Sequence, residues 1–395
     1  MVMFGEEWQI PIFPEEEGVR RWRKIRELMT AREIDCLIIA GTTANYKAGY
    51  ADIRYVSNYI NWYDDEYCVF PLHGDPALYV RTSGHEYWAE KVSWIPEIVT
   101  TIRIASGLQY VADIVKKIKD LGLEKGTLGI VSMFTMPAYV YAGLLKELTK
   151  ANFVDAGDIL RAARIIKSPA ELEMVRKAGE CADKGFQAMA DIAKPGVTDY
   201  QLIGACENAM TTHGAECGSF TLFNVKQWPD GWSLPINGTN RPMRKGDIIF
   251  NEITPCYGGY YVHICCPISL GTPPDDFVEV FEIYKGMYQI GREGFRAENI
   301  LSEVDSKARE FAMSKRPFTA ASASFQLMDS IVTYPAFKGE LKPGMVLTIH
   351  PSTSPPEAER KAKKGHGGHI IGNTCIVTED DPECVSKVPL EITIV

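Results

Sequence analysis

The chain has no apolar run long enough to span a bilayer, so no segment reads as a membrane-spanning helix and a membrane is not an expected partner. It has no excess of positive charge: Lys+Arg 42 against Asp+Glu 51 gives a net charge of −9. That balance is a poor match for a phosphate backbone, so nucleic acid is not an expected partner either. Residues Met1 to Pro14 include Glu6, Glu7 and Trp8 and lack a basic stretch followed by an apolar one. A secretory signal is therefore not expected, and the cytoplasm is the expected location. Ten cysteines are present, but none stands in a Cys-x-x-Cys pair, and the adjacent Cys265 and Cys266 cannot easily bridge to each other. Reduced, mostly buried thiols are the plain expectation, with a redox or metal role for the Cys265 and Cys266 pair as the lesser alternative. Histidine is scarce, seven in 395 residues, so each one that falls in a patterned segment carries information.

What is present is ordinary globular material, with a hydrophobic share of 46% and a charged share of 24%. The length argues for two domains. Residues 1–160 alternate helices and strands. Apolar residues at helical spacing run from Glu16 to Arg32, and Asp35 to Ala40 is a short buried strand. Tyr67–Leu72 and Pro76–Val80 read as strands around a turn at His73-Gly74-Asp75. Ser168 followed by Pro169 and Glu171 announces a long helix ending before Pro195-Gly196, and Asp199 caps or precedes the next one. From Asp247 to Leu270 the pattern turns to β, two helices follow, and strands return at Val346–His350 and Thr374–Thr378. No internal repeat is visible.

Several segments, in order and at their spacing, resemble the creatinase / aminopeptidase P / methionine aminopeptidase superfamily. They are Arg164 to Glu171, Lys194-Pro195-Gly196-Val197-Thr198, Arg244 to Ile249, Leu341 to Val346 and Ile376 to Glu379. Ala51 to Val56 is similar to a strand-adjacent segment of the creatinase-type N-terminal domain. The resemblance implies an α/β N-terminal domain (1–160) and an α+β pita-bread catalytic domain (161–395). It also implies a homodimer whose active site lies near the subunit interface.

Peptidases of the superfamily hold two metal ions with two Asp, one His and two Glu. Carried over by resemblance, those places fall on Glu252, His263, the stretch Ala323 to Leu327 leading to Pro335, His350 and Gly372. A dinuclear site needs several carboxylates. With one remaining, no dinuclear site is expected, and a single transition-metal ion is left open. Glu252-Ile253 followed by Cys256-Tyr257 is similar to a segment of ectoine hydrolases, which with creatinase are implied to work without metal. The chain lacks their Ser-Arg-Thr triplet, reading Cys265-Cys266-Pro267, and lacks the catalytic His of creatinase.

Glu252, His263 and His350 are therefore the candidate catalytic residues: a carboxylate in an apolar run, and two imidazoles able to move protons. Trp228 and Trp232 are candidates to clamp a cationic or planar small molecule, with loop packing as the plain alternative. His366 and His369, on the glycine-rich Gly365-His366-Gly367-Gly368-His369, are candidates for a substrate loop, with a simple turn as the alternative. Tyr55 is a further candidate and, with Trp62, Tyr63, Asp64 and Asp65, could reach across a dimer interface, with ordinary surface and core places in the N-terminal domain as the preferred plain alternative. Cys256 reads as packing. The expected activity is hydrolysis of a non-peptide C–N bond (amidine, amide or guanidino) in a small polar compound. Two other readings stand beside it: a mononuclear metal-dependent lyase or oxygenase built on Glu252, His263 and His350, and a non-catalytic small-molecule or protein-binding protein.

Overall fold

The computed structural model describes residues 3–4, 11–42, 48–59, 61, 65–101, 108–133, 135–216, 220–229, 238–328, 339–362 and 368–395. Trp62, Tyr63, Asp64, Trp232, Pro335 and His366 lie outside them. The chain divides into two compact units, Met1–Ile165 and Ile166–Val395. Among the described residues no helix is long and apolar enough to cross a membrane.

The first unit is built on a six-stranded mixed sheet. Its order is Glu97–Thr100, Ala77–Val80, Glu66–Pro71, Cys36–Gly41, Thr127–Val131 and Asn152–Asp155. The central strand shows why the sheet is covered on both faces. Leu37 and Ile39 join one core with Ile25 and Met29 of the Glu15–Ala31 helix. Cys36, Ile38 and Ala40 join the other, with Ile114 and Ile118 of Leu108–Asp120. Side chains alternate across a strand, so a continuous apolar run feeds two cores at once. The segment likened to a strand-adjacent stretch is itself a helix, Ala51–Ser57.

The second unit uses one element order twice. A helix pair, Pro169–Ile192 and Asp199–Thr212, is followed by the antiparallel strands Phe220–Gln227 and Asp247–Thr254. A second helix pair, Asp275–Glu293 and Leu301–Lys315, is followed by the antiparallel strands Phe325–Leu327 and Val346–Ile349. The order repeats although the sequence shows no repeat.

Ser168 caps the first helix in a full capping box with Glu171. Thr198, not Asp199, caps the next, in a box with Gln201. Asp199 is the first helical residue, and its carboxylate accepts backbone N–H groups of Thr239 and Asn240 at 2.6 and 2.7 Å. The strand Phe220–Gln227 was not foreseen. Its polar Asn224, Lys226 and Gln227 dilute the pattern, and its partner is a strand distant in sequence.

Candidate active site

The site follows from the register of four neighbouring backbone stretches. Ile253 and Ile264 form an antiparallel bridge, with both N–H···O bonds at 2.9 and 3.0 Å. Glu252 therefore lies opposite Cys265, and Thr254 opposite His263, all on one face of the ladder. Cys265 bridges to Gly372 by a second pair of bonds, both 3.0 Å. Ile349 pairs with Asn373, which places His350 opposite Gly372. One row across the strands therefore reads Glu252, Cys265, Gly372, His350. The next reads Thr254, His263, Thr374, Thr348.

The second row is tied by side chains. Thr254 Oγ1 and His263 Nδ1 are 2.8 Å apart, His263 N–H donates to Thr374 Oγ1 at 2.8 Å, and the Thr374 and Thr348 hydroxyls are 2.8 Å apart. The first row contains a gap, because Gly372 has no side chain. A Cβ there would sit 2.7 Å from His350 Cδ2. The missing side chain lets the His350 ring lie across towards Cys265, with Nε2 3.1 Å from Sγ. His263 Nε2 is 3.5 Å from the same sulfur and 3.4 Å from His350 Nε2. Glu252 faces both rings, each Nε2 3.9 Å from one of its oxygens. One donor atom from each of Glu252, His263, Cys265 and His350 falls within a 4.8 Å group, and all four residues are buried.

Burial sets the electrostatics. It pushes the Glu252 carboxyl up to about 7, so both protonation states are reachable near neutrality. It pulls His263 down to about 3, with His369 adding to the effect. His350 is also held well below its ordinary value by burial, then by His369 and His263. Both imidazoles are neutral at pH 7. The Cys265 thiol is raised far above its ordinary value, by burial first and then by Glu252 and Cys266. His350 Nδ1 is buried without a hydrogen-bond partner among the described residues.

The sequence-predicted residues separate clearly. Glu252, His263 and His350 come together. His369 joins them: its ring stacks on His350 at 3.5 Å, and its Nδ1 donates to the carbonyls of His350 and Pro351 at 2.9 and 3.2 Å. Trp228 does not join them. It lies six residues beyond Leu222, the strand partner of Glu252, or about 20 Å along the strand. Its indole packs on Phe277 and donates to Asp276 at 2.7 Å, which is the plain packing alternative. Tyr55 is a core residue of the first unit, its hydroxyl donating to the Ala163 carbonyl at 3.1 Å. Asp65 accepts from Tyr110 through its carbonyl at 2.8 Å. Cys256 is buried near Glu216.

Cys265 was missed as a member of this group. The available signal was its place two residues after His263, since positions i and i+2 of an extended segment share a face.

An α/β unit followed by a unit of two helix-pair-and-sheet halves is the creatinase/aminopeptidase, or pita-bread, architecture. The family model for metallopeptidase family M24 matches residues 173–379, and that for the creatinase/prolidase N-terminal domain matches residues 21–166. The chain belongs to metallopeptidase family M24. It is similar to the ectoine hydrolase of Halomonas elongata, 24% identical over 87% of this chain and 90% of that one. It is also similar to the creatinase of a Bacillus species, 23% identical over 98% and 94%. Among solved structures, the prolidase of Pyrococcus horikoshii aligns with a TM-score of 0.76, at 23% identity, over 94% of this chain and 99% of that one.

The family's paired metal ions do not fit the residues present. The cluster offers one carboxylate, two imidazoles and a thiol. The place where the resemblance puts the last glutamate is Gly372, where even a Cβ meets the His350 ring. A carboxylate pair that could bridge two cations is absent from this group.

Proposed function

We propose that the chain is a hydrolase of a non-peptide C–N bond in a small polar compound, with Glu252 as its acid–base group. One observation carries the reading: where M24 peptidases are implied to gather carboxylates, this pocket sets a single carboxylate before two neutral imidazoles. The similarity of the Glu252 to Tyr257 segment to ectoine hydrolases, and the relatives named ectoine hydrolase and creatinase, support it.

In this reading Glu252 takes a proton from water as the water oxygen bonds to the amidine, amide or guanidino carbon. The C–N bond then breaks, and the same proton passes from Glu252 to the departing nitrogen. His263 and His350, neutral and held by the two rows, offer N–H groups to the charge that develops on the tetrahedral carbon's substituents. Thr254 and the His350/His369 stack fix the ring orientations.

A screen of amidines, lactams and guanidino compounds beside Xaa-Pro dipeptides tests the proposal. The expected result is turnover of a member of the first group and none of the dipeptides. Turnover of Xaa-Pro dipeptides alone would overturn it.

A further inference from the structure

Three atoms of the cluster form a triangle that hydrogen bonding does not explain well. His263 Nε2, His350 Nε2 and Cys265 Sγ are separated by 3.4, 3.5 and 3.1 Å. The edge between the two ring nitrogens is long for a hydrogen bond, while the two sulfur edges are of ordinary thiol length. Two imidazole nitrogens pointing at each other and at a buried thiol also have too few protons to satisfy every edge.

The same triangle matches the face of a coordination tetrahedron. Metal–nitrogen bonds of about 2.05 Å and a metal–sulfur bond of about 2.3 Å give edges of about 3.3 Å between nitrogens and about 3.6 Å between nitrogen and sulfur. Two of the three separations agree within about 0.1 Å, and the third is shorter by about half an ångström. The Glu252 oxygens, at 3.9 Å from the nitrogens, stand outside the edge of about 3.3 Å that a fourth ligand would make.

We infer that His263, Cys265 and His350 bind one zinc-class divalent ion, with Glu252 beside its open fourth position rather than bound to it. This deepens the proposed function and rests on the same role for Glu252, while the two imidazoles, whose Nε2 lone pairs the ion takes, no longer offer N–H groups from those atoms. The donor set, two imidazoles and a thiolate, selects Zn(II) or Co(II) over Mg(II) or Ca(II), which prefer oxygen. As the sulfur–metal bond forms, the Cys265 thiol proton leaves to solvent. The imidazoles bring lone pairs and release none. Gly372 is what makes the site possible, because any side chain there displaces the His350 ring from the sulfur. Thr254 at His263 Nδ1 is the outer partner that orients one ligand.

The test is a titration of the metal-stripped, untagged full-length chain with Co(II), read by visible and near-ultraviolet absorption. The wild type is expected to take up one Co(II) per chain and to show tetrahedral bands together with a thiolate-to-cobalt charge-transfer band. Cys265→Ser is expected to lose the charge-transfer band, and Thr254→Val to bind about 10- to 100-fold more weakly. Glu252→Gln keeps both the ion and the band while losing turnover. Melting curves of each variant report folding. The inference fails if the wild type binds no Co(II), or if the charge-transfer band survives in Cys265→Ser. If no Co(II) binds and a small C–N substrate is still hydrolysed, the ion is wrong and the Glu252 reading stands. If Co(II) binds with its band and no such substrate is turned over, the ion stands and the hydrolase reading falls.

Discussion

The two halves of the second unit put their functional residues in matching places and then treat them differently. Glu252 lies six residues after Gly246, and His350 six residues after Gly344. Each glycine holds a left-handed turn, at φ +87° and +83°, ahead of a buried strand. Beyond that the halves diverge. In the first, the neighbouring stretch supplies Cys265 to the row of Glu252 and His263 to the row beside it. In the second it supplies Gly372, an empty position. The empty position lets one half's imidazole reach the other half's thiol. What the halves share sets where side chains emerge, and what they do not share sets the chemistry.

The largest effect should come from the half that carries the carboxylate. Glu252→Gln keeps size and removes the acid–base group. Turnover should fall by about 10²- to 10⁴-fold with the melting temperature little changed, as steady-state kinetics and a melting curve would show. If activity survives, the two halves are equivalent scaffolds and the carboxylate is incidental.

Filling the gap in the other half attacks the difference itself. Gly372→Glu restores a carboxylate at the family position, but its Cβ would meet His350 Cδ2 at 2.7 Å. The expected cost is about 1–3 kcal/mol of stability in urea unfolding, accompanied by loss of activity. Full stability in this variant would show that the gap is not what seats His350.

The matched glycines offer a smaller comparison. An added Cβ at Gly246 meets nothing within 4 Å, whereas at Gly344 it meets the Lys167 carbonyl at 3.1 Å. Gly246→Ala should cost about 1–2 kcal/mol for the left-handed conformation alone. Gly344→Ala should cost measurably more in the same unfolding assay.

Much of this was legible in the sequence, for local reasons. The Ser168 cap with Glu171 and the buried run of Asp247–Thr254 are signals within a few residues. Glu252, His263 and His350 were found through the resemblance. Gly372 was found the same way as a lost carboxylate, but its role as a gap, and the place of Cys265 beside it, depend on register: which residue stands opposite which across four backbone stretches. The Phe220–Gln227 strand was hidden for the same reason. Its stability comes from pairing with a distant strand, not from its own pattern. Thr198, rather than Asp199, as the helix cap shows the local limit: both residues suit the role, and the Thr239 and Asn240 amides claim the aspartate.

The smallest predicted effect concerns the helices that open the first half. Ser168→Ala and Thr198→Ala should each cost about 1 kcal/mol in thermal unfolding without altering the site, because each removes one capping box. A change in substrate kinetics in either would tie the caps to the pocket more closely than the geometry does.

The most direct test of the account is the number of divalent ions held per chain, counted by mass spectrometry on the untagged native protein and on Glu252→Gln. The account predicts one in both. Two ions per chain, reduced in Glu252→Gln, would show a dinuclear M24 site surviving on a changed donor set and would contradict it.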